Sequence, residues 1–592
     1  MNHDKMSPLL RGLYSHISQK RRLQLVFLLF VTLLGALTEL ITIGAMVPFL
    51  GVLSNPEKIF NQDFLKPLFD LMNLKSPDAL LVPVVLFFIG VACVSSAVRL
   101  WLTKINTTIS YGIGSDFYVY VYRKILIKPF AYHAQNNSSE LIAAVNKAGV
   151  VVFTILYPLI QFASATIIAV FILAGLLMLD ASTAIAAGLL FSVTYVLISM
   201  AIKRRLQKNG QMIAHAEGQR IRCIQEGLGG IRDIILDNSR EVFIDRFVLE
   251  DSHLRDARAS NTVLSIAPRY VVEGVAMIVV AVVAYLMVLK DGNLIEALPV
   301  LGALALGAQK LIPMFQQIYQ GWSQFNGNRA ILRDVLDVLG EPSHHEIQGV
   351  QPKPVPLGFA EKIELDGLHY RYAVDGPMVL DQLRLTINKG QKIGLIGKTG
   401  SGKSTLADLL MGLLSPTGGA IRVDGVALEG EMIPRWQQHI AHVPQAIYLS
   451  DANIAENIAF GVPPNEVDMT RVMQAAKDAQ LHDFVSGLAQ GYQTAVGERG
   501  VRLSGGQRQR IGIARALYKG ADVLFLDEAT SALDNDTEAA VMASIQALRS
   551  DITVIIIAHR LTTLKCCDLI INLDKGRIEA QGSYEKLIGI HS

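Results

Sequence analysis

Cysteine is scarce in this chain. The 592 residues hold four, Cys93, Cys223, Cys566 and Cys567, with no CxxC pair and no zinc-ligand spacing. That excludes a disulfide framework and a cysteine-built metal site, and it suits a chain whose soluble mass sits in a reducing compartment. Charge is thin as well: only 18% of residues are charged, and the formal net charge is +2. The basic excess of a dedicated nucleic-acid binder is missing, so no nucleic-acid partner is expected. Internal repeats are absent, which argues against a solenoid or propeller. What the chain has in abundance is apolar surface: 51% of it is hydrophobic, unusual for a soluble protein and typical of a membrane component. Its length also exceeds that of one ordinary domain.

The apolar residues are concentrated in the first half. Long runs cover residues 23–50, 79–102, 150–179, 181–202, 267–289 and 294–318, each long enough to cross a bilayer core of about 20 helical residues. Lys20, Arg21 and Arg22 precede the first run, which is too long for a signal-peptide core. Lys104, Arg123, Lys124 and Lys128 follow the second run, and Lys203, Arg204, Arg205, Lys208, Arg220 and Arg222 follow the fourth. By the positive-inside bias these segments are cytoplasmic, and six crossings return the chain to that side. The first outward loop, residues 54–78, carries Phe60, Phe64, Leu65, Leu68, Phe69 and Met72 roughly on one face. It reads either as an interfacial helix or as ordinary capping of the bundle. Residues 340–359, GEPSHHEIQGVQPKPVPLGF, read as a linker in which His344 and His345 are solvated.

The second half is patterned differently. QKIGLIG, residues 391–397, is an apolar strand that runs into KTGSGKSTLADLL. Residues 397–404 match G-x-x-x-x-G-K-[ST] in the strand-then-helix setting that motif requires. Its backbone N–H groups curl around phosphates, Lys403 reaches the β- and γ-phosphates, and the Ser404 hydroxyl is placed to ligate Mg2+. A second strand, ADVLFLDEAT, ends in adjacent carboxylates. Asp527 is expected in the magnesium shell and Glu528 as the general base that polarises the attacking water. TVIIIAHR places His559 beyond the end of a third strand, where ligands bind in open α/β sheets. Gln445 lies on a loop in HVPQAIYL, and Tyr372 in LHYRYAVDG offers a ring to adenine. Downstream, RLSGGQRQR, residues 502–510, is a second glycine turn at a helix start, suited to an anion.

Together these stretches resemble the nucleotide-binding domain of the ABC ATPases. The resembling residues are Tyr372, the loop Gly397, Lys398, Thr399, Gly400, Ser401, Gly402, Lys403, Ser404 and Thr405, then Gln445, the signature Ser504, Gly505, Gly506 and Gln507, residues 523–527, Glu528, the SALD run ending in Asp534, and His559. The resemblance implies ATP and Mg2+, with Ser404, Gln445 and Asp527 around the metal and Glu528 and His559 catalytic. In that family the signature turn caps the γ-phosphate held by another subunit's loop. A second copy of this chain is therefore the expected partner, a heterodimer being the other possibility. The order of one membrane half then one ATPase half resembles exporter-type half-transporters, and TAVGERG, residues 494–500, resembles the exporter loop that touches the membrane helices.

The expected fold is thus a multidomain membrane protein: a six-helix all-α transmembrane domain followed by an α/β P-loop ABC nucleotide-binding domain. Residues 1–22 form a cytoplasmic N-terminal segment, 23–339 the membrane domain, 340–360 the linker and 361–592 the ATPase domain, in a bacterial inner membrane. Residues 135–141 and 227–233 are expected to carry coupling between the halves. Glu39, Arg99, Glu273 and Lys310 lie in or near apolar runs and are the candidate substrate residues; each needs a partner or water, and pairing between helices is the alternative. LTELITIGAMVPFL and APRYVVEG resemble stretches of bacterial lipid-linked oligosaccharide flippases, which implies a polyprenyl-pyrophosphate-linked glycan as substrate. A multidrug or lipid A exporter is the alternative, and an ATP-gated channel or regulator is the reading from another class.

Overall fold

The protein is described from a computed structural model. It covers residues 6–54, 56–60, 76–179, 181–291, 294–340, 355–373, 375–529, 532–546, 550–558 and 560–587. Two compact units emerge. The first is Met1–Lys128 with Tyr132–Gly349, and the second is Pro129–Ala131 with Val350–Ser592. The interfacial stretch at residues 61–75, His344 and His345 lie outside the described residues.

The first unit is all helix. A short amphipathic α1 (Met6–Ser15) precedes α2 (Gln19–Ser54) and α3 (Leu81–Ile127). Then come α4 (Ser138–Val151), a π-helical turn at Val152–Leu156, α5 (Tyr157–Leu179), α6 (Ala181–Gly229), α7 (Arg240–Asp291) and α8 (Leu294–Leu339). Among the described residues, four stretches combine the length and apolarity for a crossing: Gln19–Leu53, Leu81–Ile127, Ser138–Met178 and Arg240–Val279. With α6 and α8 they make up the six-helix domain expected.

The helices outrun the apolar runs that announce them. At 52 residues, α7 is about 78 Å long at 1.5 Å per residue, against a bilayer core of about 30 Å. Hydropathy detects only the lipid-facing part; the remainder, such as KRRLQKNGQMIAHAEGQRIR in α6, is polar helix continuing into water. The segments expected to carry coupling are interruptions between helices. Around residues 135–141 a short helix, Phe130–Gln135, stops, and Asn137 caps α4 by accepting from Ser139 N. Around residues 227–233, α6 ends at Gly229 and a short helix, Ile231–Leu236, follows.

α8 is central: it packs on α5, α6, α7 and α2. Where α6 crosses α8, a Cβ at Gly210 would stand 2.3 Å from the Gly327 carbonyl oxygen, so only glycine lets the two backbones meet.

The second unit holds two sheets. A four-stranded sheet has the order β2 (Leu380–Asn388), β1 (Lys362–Tyr370), β4 (Gly418–Val423), β5 (Val426–Ala427), and a six-stranded one the order β10 (Arg577–Gly582), β9 (Leu569–Asp574), β3 (Lys392–Ile396), β8 (Thr553–Ile557), β7 (Val523–Asp527), β6 (Ile440–Val443). In the large sheet β3, β8, β7 and β6 run parallel. Their apolar sequences fit strands covered on both faces. The phosphate loop, Gln445 and the Asp527–Glu528 pair follow the carboxyl ends of β3, β6 and β7 in this sheet, where open α/β sheets bind ligands.

Gly210→Val is expected to lower stability by about 2 kcal/mol through overpacking against backbone that cannot yield. A fall of several degrees in Tm of the detergent-solubilised chain checks it; an unchanged Tm would mean that the crossing tolerates separation.

Candidate functional site

The loop after β3 is shaped by glycine. Gly397 has φ 145°, Gly400 81° and Gly402 102°. A Cβ on Gly397 would lie 2.2 Å from the Leu573 carbonyl oxygen and 2.7 Å from Ser401 Oγ, so the chain turns there only without a side chain. Gly402 caps helix α9 (Lys403–Leu410). Lys403 is buried and folds back over the loop, donating from Nζ to the carbonyls of Gly397 (2.7 Å) and Lys398 (3.0 Å). Ser401 Oγ is buried with no hydrogen-bond partner among the described residues, a cost that a phosphate oxygen would relieve. A glycine cradle, an orphaned hydroxyl and a lysine held by carbonyls alone are a donor set that fits the phosphates of a nucleotide. Ser404 faces solvent beside them, and Lys398 and Thr399 form the exposed lip of the loop.

Tyr372 is half exposed, packs edge-on to Tyr370 at 5.0 Å and shares a 3.0 Å hydrogen bond with Thr405 Oγ1. An aromatic face is thereby pinned to the first turn of the phosphate-loop helix.

Across the sheet, β7 delivers Asp527 at its last residue. Glu528 follows with φ 48°, a left-handed backbone that costs roughly 1 kcal/mol or more for a non-glycine residue. Its N–H donates to the Ile557 carbonyl at 3.0 Å, so the strained residue is anchored to the end of β8. Its Oε2 accepts from Gln445 Nε2 at 2.8 Å, which brings together two residues 83 positions apart.

The second glycine turn begins helix α10 (Gly505–Lys519). Ser504 is its N-cap in a capping box: Ser504 Oγ accepts from Gln507 N at 3.2 Å, and Gln507 Oε1 accepts from Ser504 N at 2.8 Å. Gly505 and Gly506 lie against Ala532. Asp534 caps the next helix, α11 (Asn535–Gln546), accepting from Thr537 N at 3.1 Å. That bond, with the Thr537 hydroxyl, holds the Asp534 carboxyl below its usual range. His559 and Ser531 lie outside the described residues.

Two residues of this site carry no motif of their own. Gln509, buried in α10, donates to the Glu528 carbonyl at 3.5 Å and accepts from Ala532 N at 3.0 Å, so it ties the signature helix to the segment beyond β7. Asp408, one turn into α9, is raised to about 6 by burial and by the charge of Asp527. Its position in KSTLADLL, one helical turn after Ser404, is the signal that would have found it.

In the membrane unit the four candidate substrate residues separate. Glu39 of α2 is buried and accepts from Lys310 Nζ of α8 at 2.7 Å, while Arg99 Nη1 of α3 lies 3.8 Å away. Three helices therefore meet at one ion cluster with a single net positive charge. Glu273 is held apart from it, bonded by Arg269 Nε at 2.6 Å one turn earlier on α7. Of the two readings left open by the sequence, a polar path or pairing between helices, the geometry shows pairing: Lys310 and Arg99 share the Glu39 carboxylate.

Comparison with known proteins agrees with this geometry. The family model described as ABC transporter matches residues 380–531. An ATP-dependent lipid A-core flippase of Saccharophagus degradans is 42% identical over 255 residues, 43% of this chain and 42% of that protein. Another ATP-dependent lipid A-core flippase, from Pseudomonas aeruginosa, is 29% identical over 578 residues, 95% of this chain and 92% of that protein. A bacterial Atm1-family ABC exporter solved with ATP bound has the same fold, with TM-score 0.75 at 23% identity over 96% of both chains. Residues 380–531 are an ABC transporter ATPase domain, and the chain as a whole has the fold of an exporter-type ABC half-transporter. As such it binds ATP with Mg2+ and hydrolyses ATP to drive transport.

For this half-transporter, Gly397→Ala is expected to weaken ATP binding at least about tenfold, because the added carbon displaces the loop from the geometry that presents its N–H groups. Titration with a fluorescent ATP analogue checks this, and unchanged affinity would show that the loop accommodates a side chain.

Proposed function

We propose that the half-transporter works as a homodimer that moves a phosphorylated, sugar-bearing lipid of the lipid A-core class from the cytoplasmic to the outer leaflet of a bacterial inner membrane. The observation that carries the substrate class is the match to the Pseudomonas aeruginosa flippase over 95% of this chain, an extent that takes in the membrane half as well as the ATPase half. It favours the lipid A alternative over the polyprenyl-pyrophosphate glycan, whose support is two short stretches, residues 37–50 and 267–274.

In this reading Lys403 and the N–H groups from Gly400 to Thr405 hold the nucleotide phosphates, and Tyr372 lies under the base. Ser404, Asp527 and Gln445 hold the metal, which when bound neutralises charge on the β- and γ-phosphates. Glu528 takes the proton of the attacking water, and His559 contacts the γ-phosphate. Gln445 donates to Glu528, so a residue of the metal shell also orients the base. The signature turn of one protomer, Ser504 to Gln507 with Asp534 nearby, completes the site on the other. Closing the pair on ATP favours one arrangement of the membrane helices, and hydrolysis releases the other. The Glu39 cluster spans three of those helices, and Arg99, its most exposed member, is the group placed to meet an anionic headgroup.

Three outcomes are expected in proteoliposomes. ATP should remove lipid A-core from one leaflet faster than a fluorescent polyprenyl-pyrophosphate glycan or ordinary phospholipid; faster loss of the glycan would restore the reading from sequence. Glu528→Gln should still bind ATP yet turn over at least about 100-fold more slowly, and normal turnover would remove Glu528 from its role. Arg99→Ala should slow lipid translocation about tenfold with basal ATP turnover kept, a loss near the 1–2 kcal/mol of one charge-assisted contact; equal transport would leave Arg99 a purely structural partner of Glu39.

A further inference from the structure

Glu538 is a buried carboxylate at the start of α11, and the hydrolytic chemistry described above does not use it. The residue is 8% exposed. It accepts from Arg560 Nη1 at 2.7 Å through Oε2 and from Thr563 Oγ1 at 2.9 Å through Oε1. Both oxygens are thus engaged by the segment that follows β8. Glu538 lies one turn after Asp534, whose carbonyl accepts from Glu538 N at 2.8 Å. One residue therefore links the helix that begins at Asp534 to the chain leaving β8.

That chain also holds Glu528. Arg560 follows Ile557 by three residues, and the Ile557 carbonyl anchors Glu528 N at 3.0 Å. Arg560 and Thr563 line a cavity of about 40 Å3 together with Glu528, Ala529, Met542 and Ile545. The cavity has room for side-chain movement behind Glu528. Two of its lining residues, Arg560 and Thr563, are held by Glu538.

Burying a carboxylate is expensive, and an apolar residue of similar volume often stabilises as well or better. A structural need to fill space is therefore a poor reason for glutamate here. A need to fix two groups in direction is a better one, because a carboxylate with both oxygens bonded allows little rotation.

We propose that Glu538 is a positioning residue for ATP hydrolysis: through Arg560 and Thr563 it fixes the wall behind Glu528, and with it the strained backbone that aims the Glu528 carboxylate at water. The proposal rests on the reading of Glu528 as general base. It couples that base to the segment beginning at Asp534, which the dimer reading puts beside the second nucleotide site. Closure of the pair then reaches the base through one hydrogen-bonded residue.

The test uses the full-length half-transporter in nanodiscs, with kcat, KM for ATP, fluorescent-nucleotide affinity and Tm measured together. Glu538→Gln, nearly isosteric, should lower kcat about tenfold while KM stays within about twofold, because misplacing a catalytic group affects the chemical step more than ground-state binding. Thr563→Val should lower kcat by a smaller factor in the same pattern. Combining Glu538→Gln with Arg560→Gln should cost little more than either alone, as expected for groups acting as one unit. A kcat within twofold of the parent for Glu538→Gln overturns the proposal. So does a loss that follows Tm or KM, or one that simply multiplies in the double variant. If Glu538→Gln does not fold, Thr563→Val decides by the same kcat-against-KM criterion, since it cuts one arm of the clamp without stranding a charge. Glu528→Gln run alongside separates the two readings: full turnover there removes the base assignment, whatever Glu538 does.

Discussion

Charge leaves water only when something meets it, and both halves of this protein are organised around that constraint. In the membrane unit Glu39 is accommodated because Lys310 and Arg99 converge on it from two other helices. In the ATPase unit Lys403 is accommodated because the phosphate loop turns its carbonyls inward. Glu538 is accommodated by an arginine and a threonine from one short segment. Among the described residues Asp408 has no such partner, and this half-buried acid responds in the other way open to it, with a carboxyl raised to about 6. The apolar core supplies most of the cohesion, and these few polar meeting points tie together residues far apart in the chain.

How much of this was readable in the amino-acid order differs between the halves. The expected ATPase site rests on local pattern, because phosphate binding needs glycines, a lysine and a helix start at fixed spacing, and those constraints act within a few residues. Gly397, Lys403, Asp527 and Glu528 could therefore be named from local pattern. Gln509 could not: its bonds reach Glu528 and Ala532, 19 and 23 residues away, and a glutamine inside a helix carries no signature of that reach. Glu39 and Lys310 are separated by 271 positions. Each was visible as an unusual charge in an apolar run, yet their pairing is a product of helix packing. Apolar runs leave the helix ends open for a related reason: apolarity marks where lipid touches a helix, and backbone hydrogen bonding continues where lipid stops.

The substrate is where local pattern was weakest. Transport of a large amphiphile makes few demands on individual side chains, since its tails stay in the bilayer and only the headgroup needs polar company. Resemblance over two short stretches pointed to one glycolipid, whereas similarity over nearly the full length points to another. Both are anionic sugar-bearing lipids. The shared requirement, a cation available beside a buried carboxylate, is the part that the Glu39 cluster itself supports.

The length of α7 has a mechanical side. A helix of 52 residues, about 78 Å from end to end, works as a lever: a tilt of about 5° carries its far tip by roughly 7 Å, and Pro268, which has no N–H for one rung of the ladder, is the point at which it can bend. Amplification of this kind lets a sub-ångström adjustment at the fulcrum become a stroke the size of a sugar ring, and it explains why such a protein would keep so much helix outside the lipid.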